Sequence, residues 1–252
     1  MKVLFVSFRN EWDKLLCRKK YLVFICIGVC ICLLWTGLGQ LSTDFVEQQG
    51  GYIWNFTPTP MGALPFFLRV LVPFLMFMGL TDLITIEGSE NTMKAMICRP
   101  IERWKLYASK LLAVMAYAAV YLSCILIAST VLNQLFGKPL GVGEILTALA
   151  SYALTLIPLT ILACFGALVA LLGKSGTLTM FILLLLYMLL NILPLFYPVL
   201  SEMLFTSYLG WYRIWIGILP ATSKLIHVLL ILLGYGTVFF MGGSLLFDRK
   251  EY

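Results

Sequence analysis

Chemistry inside a membrane needs a paired base and nucleophile or a set of metal ligands, and this chain carries few residues able to form either. His227 is the only histidine, and the seven cysteines (Cys17, Cys26, Cys30, Cys32, Cys98, Cys124 and Cys164) are scattered without a repeated C-x-x-C. A Cys/His zinc site therefore lacks ligands, no metal is expected, and the cysteines read as small buried hydrophobes with no call for a disulfide. Neither Gly-x-Ser-x-Gly nor His-Glu-x-x-His occurs, and Glu87 with Glu90 falls in a loop. Gly173-Lys174-Ser175 looks like the end of a phosphate-binding loop, but Leu168 stands where that loop needs its first glycine. The surrounding residues are also a membrane span, so the nucleotide reading is rejected. Asp82 is the one charged group at membrane depth that merits a place on a substrate path, although pairing with a nearby Lys or Arg is its plainer role. Asn191, close to Pro194, is a second path candidate, or else a bond between helices. His227 reads as a packing residue.

The elements that hold these residues are membrane helices. Of the 252 residues 61% are hydrophobic and 12% charged, whereas a soluble domain carries about a quarter charged residues. Apolar runs of about 20 residues cross a bilayer. Six are expected: about 21–39, 66–86, 106–132, 147–172, 177–197 and 225–246, in one all-α transmembrane domain covering 1–252. The first run is too long for a secretory signal and is expected to be retained. Between the first two spans lies a polar outer loop in which Tyr52, Trp54 and Phe56 alternate with polar residues, as headgroup-level side chains do. Asn55-Phe56-Thr57 in it fits a glycosylation sequon.

The net charge of +6 raises the question of nucleic acid, but the basic residues sit in short segments between apolar runs, which excludes a nucleic-acid-reading face. Six precede the first span and five lie between the second and third; Lys174, Arg249 and Lys250 join them on the same side. Only Arg69, Lys138, Arg213 and Lys224 lie opposite. Both termini are expected to be cytoplasmic. The apolar, aromatic stretch Met203 to Leu219 contains Arg213, Gly210 and Gly217. It is read as a re-entrant or interfacial helix pair on the outer side rather than a seventh span.

Two inner segments carry the functional reading. In residues 1–20, Leu4, Phe5, Phe8, Trp12, Leu15 and Leu16 share one face at helical spacing, with Lys2, Arg9, Asn10, Asp13 and Lys14 elsewhere. This predicts an interfacial helix, followed by Arg18, Lys19 and Lys20 at anionic lipid headgroups. Glu87 to Lys110 is the long inner loop. Within it Glu90 to Cys98 can form a short helix, capped by Ser89 or a neighbour and exposing Met93, Met96 and Ile97. Arg99 before Pro100 ends that helix, and Pro100 can start the next. A rigid helix tied to two spans is a mechanical link, and a solvated loop rich in positive charge is the alternative.

Asn10-Glu11-Trp12-x-Lys14-Leu15-x-x-Arg18-Lys19-Lys20 and Glu90-Asn91-Thr92-x-Lys94, followed by Arg99-Pro100-x-x-Arg103 and Lys110, resemble the permease subunits of type 2 ABC exporters, bacterial members of which are similar in span pattern from end to end. The chain departs from that pattern at Asn91, where glycine is usual; asparagine also tolerates a left-handed backbone. The resemblance implies a coupling helix formed by Glu90, Asn91, Thr92, Met93, Lys94, Met96, Ile97, Arg99, Pro100 and Arg103. It also implies an elbow helix carrying Phe8, Glu11, Trp12, Lys14, Arg18 and Lys19, and outer re-entrant helices between spans five and six. It further implies a dimer with a second or sister permease in the bacterial cytoplasmic membrane. ATP and Mg would sit on a separate ABC ATPase subunit, with no cofactor on this chain and no ATPase activity of its own. Antibiotic efflux or bacteriocin immunity is the transport role that relatives of this size suggest. Two other classes stay open on the residues alone: an intramembrane protease or lipid-processing enzyme, and an ion-coupled secondary transporter.

Overall fold

The computed structural model describes residues 2–49, 59–89, 102–136, 139–215 and 222–250. The described residues are helical, with no strand among them, and six helices are long and apolar enough to cross a membrane. Helix α1 is Lys2–Cys17, α2 is Lys19–Gln49, α3 runs through Pro60–Ser89, α4 is Arg103–Phe136, α5 is Val142–Leu172 and α6 is Gly176–Phe196. Two 3₁₀ helices, Pro198–Glu202 and Phe205–Trp215, precede α7, Thr222–Arg249. The chain is a multi-pass membrane protein.

Helices overrun the expected spans where local chemistry supports them. α2 continues through the mostly polar residues 40–49, which contain no Gly or Pro. α3 begins six residues before the expected start. Thr59 accepts the Gly62 amide at 3.2 Å as an N-cap, and Pro60 takes the first helical position, where its missing N–H costs nothing. α5 begins at Val142 rather than 147, with the Glu144 side chain accepting the Gly141 amide at 3.2 Å. Between α6 and α7 the described residues form two 3₁₀ helices that start at Pro198 and kink at Gly210. The aromatic outer loop with Tyr52, Trp54 and Phe56, the sequon, Cys98, Lys138 and residues 216–219 lie outside the described residues.

α3 and α5 are the most enclosed helices, while α2, α6 and α7 leave most of their surface open. Phe181, Leu195, Leu230 and Val238 are each more than 60% exposed, as suits side chains that face hydrocarbon. The cysteines follow the same division. Cys32 is buried, but Cys17, Cys26 and Cys30 are exposed, so these three are small surface residues rather than core ones. His227 is likewise exposed rather than packed.

With no water to solvate a freed backbone group, prolines inside spans need compensation from a neighbour. Pro73 deprives the Arg69 carbonyl of its α-helical donor, and α3 widens to a π-helical turn over Phe67–Leu71 just before it. The Tyr187 hydroxyl of α6 donates to that carbonyl at 2.9 Å. Pro194 frees the Leu190 carbonyl in the same way, and the Thr206 hydroxyl reaches it at 3.4 Å. Two glycines set the distance between helices. A Cβ on Gly243 of α7 would stand 2.1 Å from the Tyr107 hydroxyl of α4, and one on Gly28 of α2 would stand 2.5 Å from the Tyr121 hydroxyl.

Tyr187→Phe is expected to destabilise the folded chain by about 0.6–2 kcal/mol, read from its unfolding in mixed detergent. Gly243→Ala should cost about 1–3 kcal/mol by overpacking, and Tyr107→Phe in the same background should recover part of that loss; no recovery would mean that the hydroxyl does not set the spacing.

Candidate functional site

α1 lies against the first turns of α4, and its inward face differs from the expected apolar stripe. Leu15, Ser7 and Glu11 are buried, Leu4, Phe8 and Trp12 are half-buried, and Phe5 and Leu16 are exposed at 65% and 50%. At 100° per residue Phe5 and Leu16 fall a quarter-turn from Leu15, on the flank away from the bundle. Glu11 and Lys14 instead turn inward, because buried partners await them.

Those partners are Glu87 and Lys110. The Lys14 ammonium lies 3.2 Å from Glu11 Oε1 and 2.8 Å from Glu87 Oε1. Lys110 lies 2.5 Å from Glu87 Oε2 and 3.2 Å from Glu11 Oε2. The four charges alternate in sign and sum to zero. Lys110 is fully buried and Glu11 and Glu87 nearly so, while Lys14 keeps an exposed edge. Glu87 is thus in the closing turn of α3 and not in a loop. The network joins three pieces of chain: α1, the end of α3 and the start of α4. Residues 90–101 run between the last two. Nearby, the Ser7 and Ser109 hydroxyls share a hydrogen bond of 2.9 Å.

One turn deeper, Asp82 is buried within a second π-helical stretch of α3, Thr81–Ile86. Its Oδ2 accepts the Tyr21 hydroxyl at 2.6 Å, lies 3.0 Å from Arg18 and also contacts the Lys20 ammonium. Asp82 is therefore an ion-paired anchor for the α1–α2 junction. The Tyr117 hydroxyl donates to the Tyr21 carbonyl at 2.6 Å, and the Tyr21, Tyr117 and Trp12 rings pack in series. Phe8 stacks on Trp12, whereas Lys19 is exposed.

The other helix ends gather here as well. Arg103 donates to the Asp248 carbonyl at 2.6 Å, linking the start of α4 to the end of α7. Lys250 donates to the Leu171 carbonyl at 2.6 Å, and burial lowers the pKa of its ammonium. Thr85 of α3 reaches the Ala170 carbonyl at 2.8 Å. Glu102 accepts from Lys105 and from the Trp104 indole, and those hydrogen bonds hold its carboxyl below the usual carboxylate range. Gly173-Lys174-Ser175 forms a tight turn against α3: a Cβ on the next residue, Gly176, would stand 2.6 Å from Ile86. Its glycines thus serve close packing.

Of the expected coupling residues, Glu90, Asn91, Thr92, Met93, Lys94, Met96, Ile97, Arg99 and Pro100 lie outside the described residues, and Arg103 is inside. Asn191 does not join Asp82. It is 15 residues into α6, about 22 Å along that helix, where it donates to the Tyr187 carbonyl at 2.8 Å. Sequence reasoning missed Glu87 and Tyr21 as site residues, and carried Lys110 only as part of a motif. The available signal was charge balance, since a carboxylate at the edge of an apolar run beside a chain rich in Lys and Arg calls for a partner.

A family model described as ABC-2 family transporter protein matches residues 7–191. The chain belongs to the ABC-2 transporter family. The match takes in most of α1, both charge clusters and most of α6, and ends before the 3₁₀ helices and α7. As a membrane subunit of this family, the ABC-2 chain works in transport with an ABC ATPase. No curated protein matches it.

Removing one member of a buried charge network leaves its partners uncompensated, at about 3–5 kcal/mol. Lys110→Met is expected to cost that much, and Lys14→Met less because its side chain is 27% exposed. Adding Glu87→Gln to Lys110→Met restores neutrality, so a double-mutant cycle should show favourable coupling of about 1–3 kcal/mol. A coupling near zero would place these groups among weak surface pairs.

Proposed function

We propose that the chain is the permease half of an ATP-driven exporter that moves a hydrophobic or amphipathic compound, such as an antimicrobial peptide, out of the cell or its membrane. The observation that carries this reading is the network of Glu11, Lys14, Glu87 and Lys110 at both ends of residues 90–101. An ATPase pressing on that segment would move a body already clamped to α1, α3 and α4 by buried charge. Glu90 to Pro100 with Arg103 form the docking element in this reading, and Phe8, Trp12, Arg18 and Lys19 seat the elbow helix beside it.

In this reading the basic α1 end and both termini face the cytoplasm, as the positive-inside rule favours, and the membrane is the bacterial plasma membrane that the family resemblance suggests. ATP and Mg²⁺ bind the partner ATPase, and this chain contributes no cofactor. A second permease, identical or sister, covers part of the open apolar surface. α6 buries only Thr179, Leu183 and Tyr187 within the chain, which leaves a face for such a partner or for lipid. Self-protection against a membrane-active peptide is the biological role that fits best.

The test is reconstitution of the permease with its ATPase in liposomes, measuring ATP hydrolysis and transport together. Deleting Met93 to Ile97, or Arg99→Ala with Arg103→Ala, should abolish transport-coupled hydrolysis. Glu87→Gln should leave the complex assembled but lower transport per ATP by about tenfold. Unchanged coupling in all three variants would overturn the reading.

A further inference from the structure

A cavity of about 560 Å³ opens between α7 and the first 3₁₀ helix, at the end of the molecule remote from α1. Its volume falls within the range of small-molecule sites, about 300–1,000 Å³. On α7 the lining residues are His227, Ile231, Gly234, Tyr235, Val238 and Phe239. They recur at i, i+4, i+7/8 and i+11/12, so they form one stripe along about 18 Å of helix. The opposite wall includes Glu202. The groove therefore runs along α7, with Glu202 as its one carboxylate.

Glu202 and His227 are its ionisable lining residues, and the others are apolar or aromatic. The Glu202 carboxylate has no ion-pair partner among the described residues. One wall is an aromatic cluster: Phe205 packs against Tyr235, Phe239 and Phe165 with ring centroids 5.4–5.6 Å apart. Gly234 widens the groove, since a Cβ there meets nothing within 4 Å. The neighbouring surface, including Val199, Val238 and Met203, is exposed, so a molecule can enter sideways from the surrounding leaflet.

We propose that this groove binds a single-tailed amphiphile with a cationic head, the ammonium at Glu202 and the aliphatic tail along Ile231, Tyr235 and Phe239. One carboxylate in a slot lined otherwise by His227 and apolar or aromatic residues selects a positive head, and an anionic head would meet repulsion. The inference rests on the exporter reading for its meaning, because it names the class of compound received from the leaflet on the side we assign as outer. All of the lining residues lie beyond residue 191, where the family match ends.

The test uses the purified full chain in neutral lipid nanodiscs without an ATPase, so its outcome is separate from that of the coupling experiment. The probes are tetradecyltrimethylammonium and tetradecyl sulfate, with binding read from quenching of tryptophan fluorescence and from the shift in Tm. The cationic probe should bind at least tenfold more tightly than the anionic one. Glu202→Gln should remove most of that preference. Gly234→Leu, whose Cβ would meet nothing within 4 Å, projects into the slot and should weaken the cation tenfold or more, with the unliganded Tm checking that the fold is kept. Equal binding of both probes, indifference to Glu202→Gln, or a change of oligomeric state in Gly234→Leu that marks the groove as a contact between copies would each overturn the proposal. A chain that binds the cation but fails the liposome coupling test would retain the groove and lose the exporter reading.

Discussion

Four paired charges at one end of the bundle, three of them buried, govern the rest of the structure. Glu11, Lys14, Glu87 and Lys110 come from three helices, and none can leave its place without exposing the others to an environment that solvates them poorly. Apolar contacts between membrane helices lack this property, since a leucine against lipid is about as well off as a leucine against protein. The network therefore fixes the register of α1 against α3 and α4, and Asp82 with Arg18, Lys20 and Tyr21 fixes the turn from α1 into α2. Neither cluster is a strong source of net stability. What they supply is specificity: one arrangement neutralises the charges and every slip leaves some unpaired.

α3 is where this fixed end meets a deformable element. It carries Glu87 at its end, yet its regular pattern is interrupted at Phe67–Leu71 and again at Thr81–Ile86 by π-helical turns. Such turns widen the helix, misalign its hydrogen bonds and occur often at functional positions. The carbonyl that Pro73 strands is held by a side chain of a different helix, the Tyr187 hydroxyl. The path of α3 therefore depends on the position of α6, and movement of one is felt by the other. In the proposed mechanism a displacement at residues 90–101 enters a helix able to bend at two defined places.

The six spans are legible in the sequence because each is a run of apolar residues long enough to cross a bilayer, a signal that does not depend on tertiary context. The helix ends are less so. The Thr59-Pro60 cap is readable from residue type and was passed over, whereas the extension of α2 through Gln49 follows only from the lack of a breaker. The charge clusters were illegible for a deeper reason. Lys14 looks like part of the polar side of an amphipathic helix, and only the packing of α1 on α4 brings it, with Glu11, beside Glu87 and Lys110. Phe5 and Leu16 were grouped with Leu15 by hydrophobicity, which cannot separate a side chain facing protein from one facing lipid. His227 misled in the opposite direction, being assigned to packing when it borders a cavity.

The two ends of the molecule are held by different physics, and this suits a machine driven from one side. At the α1 end, ion pairs and directed bonds such as Arg103 to the Asp248 carbonyl and Lys250 to the Leu171 carbonyl resist both sliding and rotation, because their energy falls steeply with misalignment. At the remote end the 3₁₀ helices meet α5 and α7 largely through aromatic rings, Phe165, Phe205, Tyr235 and Phe239, whose attraction is spread over many weak contacts. Small displacements there exchange one set of contacts for another at little cost. A push at the clamped end would thus be carried by the helices as a body and spent as relative movement among the rings. The groove beside α7 lies against that compliant region, where a bound tail would be gripped or released as the rings shift.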